Sequence, residues 1–166
     1  MKYTPAAYNR AAAVDYAHQW AYRRNPAYTD FEEMGGDCTN FLSQCIYAGS
    51  GVMNYTPVYG WYYNSLNSRA PAWTGVNELY RFLVSNTAAG PVAEEVPLSR
   101  IEPGDIIQLA TEHPYFHHGV IVVHAGSSPS PENILIACHS YDADYRPLAA
   151  YHILQQRCLH ITHVNT

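Results

Sequence analysis

From Tyr8 onward the aromatic and small apolar side chains return at helical spacing: Tyr8, Ala12, Tyr16 and Trp20 share one face. With Thr4 available as a cap and Pro5 suited to a first turn, the pattern predicts a helix from Thr4 to about Arg24. Asn25-Pro26 stops it, because the residue before a proline avoids the helical region. A second stripe, Cys38, Phe41, Leu42 and Cys45 with Ile46 beside it, predicts a buried helix from Cys38 to about Ala48. Asp37 stands at its N-cap position, and Gly49, Ser50 and Gly51 close it. Trp73 to about Asn86 reads as a third helix, with Val76, Leu79, Tyr80 and Leu83 as its apolar face. The aromatic, proline-interrupted run from Val52 to Ala72 reads as a structured loop, and Pro91 to Pro103 as a connector.

After Gly104 the period shortens to that of strands. Ile106–Leu109, Gly119–Ala125 and Ile134–His139 are predicted strands, and Ala150–Leu154 and Arg157–Val164 supply two more. Ser127 to Asn133, reading SSPSPEN, is a turn between neighbours. Helices first and antiparallel strands second predict an α+β fold, with N-terminal helices packed on a C-terminal antiparallel sheet. With 166 residues the expectation is one domain over the whole chain.

Composition narrows the function classes. Apolar residues make up 48% and charged residues 14%, enough to build a core and too little charge for a disordered chain. No run of about eighteen apolar residues is present, so no membrane-spanning helix and no membrane partner are expected. A net charge of −5 without a Lys/Arg cluster argues against nucleic acid as partner. The opening MKYTPAAYNR lacks the apolar segment of a secretory signal. The expected location is therefore the cytoplasm for the chain as it stands, and the cell wall or exterior if a signal has been removed. The four cysteines form no CxxC pair, and free thiols are expected.

Cys38 opens a helix behind a Gly-Gly turn, where unpaired amides and the helix dipole favour a thiolate and can receive an oxyanion. On this ground its thiol is expected to titrate below the ordinary cysteine value of about 8.5. A thiol nucleophile needs a base and a group to orient that base. By strand alternation His118, Val120, Val122 and His124 share one face, and Leu135, Ala137 and His139 share one face of the next strand. Pairing of the two strands is expected to bring His118 and His139 together across the ladder. A competing arrangement, zinc held by His113, His117 and His118 with Cys138 or His139, lacks HExxH or CxxC spacing. Asn40 and Gln44 either contact substrate or support the loop, and Trp61, Tyr62 and Trp73 either wall a groove or pack the core.

The strings YNRAAAVDYAHQWAYRRNPAY, GGDCTNFLSQCIYAGS, PAWTGVNELYRFL, GDIIQL, HHGVIVV and CHSYDADYRPL resemble the Putative amidase domain family, from about Tyr8 to about Leu148. GGDCTNFLSQ is the most specific piece. The resemblance places the chain in the papain-like superfamily, beside the NlpC-type cell-wall peptidases and the CHAP amidases. It implies Cys38 as nucleophile, His118 as base and His139 as the orienting residue, with His117 and Asp142 as the respective alternatives. It further implies hydrolysis of an amide through a thioester acyl-enzyme, a peptide or peptidoglycan fragment as substrate, and no metal or organic cofactor. A non-catalytic module that holds a peptide or glycan on the same scaffold is the alternative.

Overall fold

The structure, a computed structural model, describes residues 2–166. Its elements run β1 (Pro5–Ala6), α1 (Arg10–Trp20), α2 (Cys38–Ser50), β2 (Tyr63–Ser65), β3 (Ser68–Arg69), α3 (Pro71–Thr74) and α4 (Val76–Ser85). Then follow β4 (Gly90–Val96), β5 (Ile106–Ala110), β6 (His118–His124), β7 (Leu135–Cys138), β8 (Ala143–Pro147) and β9 (Gln155–Asn165). The fold is α+β, as the sequence predicts.

Four features differ from expectation. The first helix starts at Arg10, because Asn9 rather than Thr4 caps it: the Asn9 side chain accepts the Ala12 amide at 3.0 Å. Pro5 and Ala6 instead pair with Asn165 and Val164 of β9. The third helix is two, broken at Gly75, whose backbone is extended. The supposed connector from Pro91 contains β4, and the strand expected at Ala150–Leu154 lies earlier, at β8.

β1 and β4 to β9 form one antiparallel sheet in which β9 is the hub. One edge of β9 pairs with β4, the other with β5 and then β1; β6, β7 and β8 extend the sheet beyond β5. Alternation along the strands gives the sheet two apolar faces. Ile106, Ile121, Ala137, Leu159 and Ile161 pack with the helices, whereas Ile107, Val120, Val122, Ile136 and Cys158 form a second core on the opposite face. That second face is covered by segments around Leu98–Ile101 and Leu148–Ile153.

The seat of α2 on β6 depends on a glycine. A Cβ at Gly119 would lie 2.6 Å from Leu42 Cδ1, so any side chain there would make Leu42 move aside where the helix approaches the strand. The start of α2 is thereby carried to the first residues of β6. Trp61 and Trp73 are fully buried in the helix-side core and wall no groove.

Candidate active site

β6 begins at His118 and β7 ends at Cys138. Beyond Cys138 the chain leaves the sheet through Ser140 and Tyr141, both in the left-handed region at φ 63° and 61°. Two adjacent non-glycine residues there carry backbone strain, which a packed neighbourhood must hold in place. Part of that hold comes from Ser140 Oγ, which accepts the Asp37 amide at 3.1 Å and donates to Glu32 Oε2 at 3.0 Å. The start of α2 is thus stitched to the end of β7.

Cys38 is the first residue of α2 and 7% exposed. Its sulfur lies 3.9 Å from Thr39 Oγ1 and 4.0 Å from the His117 carbonyl oxygen, and the Gly119 amide donates to it. Burial pushes the thiol up from its ordinary value. The Gly119 amide and the Thr39 hydroxyl and amide pull it down, and the Asp37 carboxylate pushes up again. The expected low-titrating thiol is therefore corrected: helix-start amides are present, but desolvation outweighs them.

Asp37 occupies the N-cap position without capping through its side chain. One oxygen accepts the Phe31 amide (2.8 Å) and Asn40 Nδ2 (2.9 Å), and the other meets His139 Nδ1 at 2.5 Å. The first amides of α2 are left without a side-chain cap. Asn40 also accepts Trp73 Nε1 at 3.0 Å, and Gln44 accepts the Tyr16 hydroxyl at 2.5 Å, so both brace the helix.

His118 and Cys38 line the same pocket of about 540 Å³, together with His117, Ser140, Tyr141 and Tyr151. The His118 ring is 9% exposed and sits 5.8 Å from the Tyr151 ring. Among the described residues no side chain or carbonyl hydrogen-bonds to its nitrogens. Burial first, then His117 and Arg146, lower its pKa to about 4, so it is a neutral imidazole at neutral pH. His117 is exposed, and its Nε2 is engaged by Thr111 at 3.0 Å through the hydroxyl and 3.2 Å through the amide.

His139 is not beside His118. The register pairs Ile121 with Ala137, which sets residue 118 on the face of Cys138 and residue 139 on the opposite one. The His139 ring stacks on Phe41 of α2 at 4.0 Å, and its Nε2 meets the Trp20 carbonyl at 2.8 Å. With Nδ1 on Asp37, both ring nitrogens are engaged away from the pocket. Asp142 is likewise held, by Arg24 at 2.8 and 3.1 Å. Gly119, Ser140 and Tyr151 complete the surroundings of the thiol; of these, the glycine inside a strand pattern was the sequence signal for close backbone approach.

The four cysteines are free and buried. Cys138 Sγ lies 3.3 Å from the Tyr151 hydroxyl, and the His113 and His117 rings pack 4.9 Å apart. Among the described residues the grouping with metal-ligand spacing is elsewhere, at Glu102, Asp105 and His160. There the Arg10 guanidinium already occupies Asp105, at 2.7 Å.

A family profile described as Putative amidase domain matches residues 7–162. An uncharacterized protein of Bacillus subtilis (strain 168), YhbB, is 35% identical over 143 residues, covering 84% of this chain. The matched region spans 43% of that relative's length. No solved structure matches the chain significantly.

Proposed function

Because the chain belongs to the Putative amidase domain family, we propose that it hydrolyses amides with Cys38 as nucleophile and His118 as base, in the manner of papain-like thiol enzymes. The observation that carries this reading is one pocket lined by both a helix-opening thiol and an imidazole whose nitrogens have no partner among the described residues. The family points to amide hydrolysis, and the residue assignment is ours.

At rest both groups are neutral, since burial raises the thiol and lowers the imidazole. As Sγ bonds to the amide carbon, His118 takes the thiol proton, and the carbonyl oxygen becomes an oxyanion facing the uncapped amides at the start of α2. Collapse expels the amine, which receives the proton from His118 and leaves a thioester on Cys38. Water, deprotonated by His118, attacks the thioester and releases the carboxylic acid and the thiol. In this scheme His139 does not touch the base. It is a positioning residue that holds Asp37, and through it the first turn of α2.

The substrate proposed is a peptide amide, with a peptidoglycan stem peptide or its sugar–peptide linkage as the first candidate. The test is a panel of peptidoglycan fragments and dipeptide amides followed by mass spectrometry, with Cys38→Ala beside the wild-type chain. Cleavage by the wild type, with a loss of about a thousandfold or more in Cys38→Ala, is the expected result. Cleavage that survives in Cys38→Ala overturns the nucleophile.

A further inference from the structure

The pocket around Cys38 carries a charge imbalance. Its walls hold two carboxylates, Glu32 and Glu112, and no lysine or arginine. Glu112 is exposed on the β5–β6 turn and makes no ion pair among the described residues. The cation nearest Glu32 is Arg24, 3.6 Å away, and that guanidinium is shared with Asp142 (2.8 Å), Asp30 (3.3 Å) and Asp37 (3.6 Å). One positive group thus faces four carboxylates on this flank. Arg146, the other cation nearby, is not among the lining residues; it donates to the Tyr151 hydroxyl at 3.1 Å and the Tyr141 carbonyl at 3.4 Å. Three histidines also line the pocket, His117, His118 and His152, and the buried one, His118, adds no charge at neutral pH.

Two aromatic faces accompany the carboxylates. Tyr141 is 90% exposed at the pocket; Tyr151 is half-buried in it, with the Arg146 guanidinium already over its ring at 5.6 Å. Carboxylates that outnumber their cations, beside the open Tyr141 ring, attract a cation through both Coulomb and ring-quadrupole terms, and repel an anion. The left-handed turn at Ser140 and Tyr141 holds one of these rings at the mouth, and its Ser140 hydroxyl orients Glu32.

From this we infer that the pocket selects substrates bearing a positively charged group, a free amine or a lysine-like ammonium, placed to reach Glu32 or Glu112 while the amide meets Cys38. The inference rests on the amidase reading for the bond that is cut, and on the pocket alone for the charge.

The two are separated by using the thiol as a probe. Wild-type protein is treated with a cationic reagent (2-aminoethyl methanethiosulfonate) and an anionic one (2-sulfonatoethyl methanethiosulfonate), and modification of Cys38 is timed by peptide mass spectrometry. Relative to 2-mercaptoethanol, the cation-to-anion rate ratio is expected to rise by about tenfold at low salt and to shrink as salt is added. Glu32→Gln and Glu112→Gln are each expected to reduce that ratio by about two- to threefold. A ratio equal to that of the free thiol, or one that neither substitution moves, overturns the inference. If an amide substrate is found, lysyl, norleucyl and glutamyl versions should rank in that order by kcat/KM, and the reverse order also overturns it. Failure of the amidase reading shows instead as no cleavage of any amide in the panel by wild-type protein, while the labelling ratio stays informative.

Discussion

His118 and Cys38 are each driven toward neutrality by burial, and that single cause sets the pH behaviour of the pocket. For His118 the folded-state pKa is about 4, against about 6.5 when the ring is solvated. Below about 6.5 the unfolded chain takes up a proton that the folded chain refuses, so stability tied to His118 is complete above that pH and is lost as pH falls toward 4. The loss amounts to about 3 kcal/mol. Urea unfolding at pH 7 and pH 4.5 should therefore show a larger drop for wild type than for His118→Gln, which has no such proton to gain. The same shift predicts kcat/KM flat between about pH 5 and 7, whereas a solvated histidine base would bend the profile near 6.5. Cys38 was legible in the sequence because a Gly-Gly-Asp turn before an apolar stripe marks a helix start facing the core. Its raised titration was not legible, because it comes from burial in the folded chain, which no local pattern around Cys38 reports.

The elements most visible in the sequence were those with a regular apolar period, α2 and the strands β5, β6 and β9. β4 escaped because it is an edge strand carrying Pro91, Glu94 and Glu95, residues that protect an edge and that read as loop in one dimension. The pairing of β6 with β7 was legible as a hairpin, but its register was not. A one-residue change in register exchanges the faces, and it moved His139 from the pocket to the helix side. There it becomes the partner of Asp37, with both side chains 1% exposed. Removing either member leaves the other buried without its main partner. Asp37→Asn and His139→Ala are each expected to cost about 3 kcal/mol or more in urea unfolding. The double variant should cost clearly less than the two losses combined, since the second change removes a group that the first has already orphaned. Additive losses would mean that the contact is incidental and that α2 is held by its apolar face alone.

At the scale of the molecule, the sheet needs a junction where its first helix, its central strands and its last strand meet, and Asp105 provides it. The residue is fully buried. One carboxylate oxygen takes Arg10 Nη1 of α1 at 2.7 Å and the Ile161 amide of β9 at 2.9 Å; the other takes the Glu102 amide at 2.9 Å and meets His160 Nδ1 at 2.8 Å. Arg10 itself continues to the Ile161 carbonyl at 2.6 Å. Nothing in the local sequence GDIIQL announces this role, because its partners lie 95 residues before and 56 after it. The junction lies apart from the pocket: none of its residues lines the site of Cys38 and His118. Asp105→Ala strands the Arg10 guanidinium and the Ile161 amide together, and loss of one partner from a buried charge pair typically costs about 3–5 kcal/mol. Asp105→Asn, which keeps the shape and one acceptor, should cost less. Arg10→Ala should approach the alanine variant, because it leaves a buried carboxylate without its guanidinium. Urea midpoints in the order wild type, Asp105→Asn, then Arg10→Ala and Asp105→Ala, with Cys38 labelling selectivity unchanged in whatever fraction stays folded, are the expected outcome. An Asp105→Ala chain as stable as wild type would show that the apolar faces of the sheet alone fasten α1 to β9.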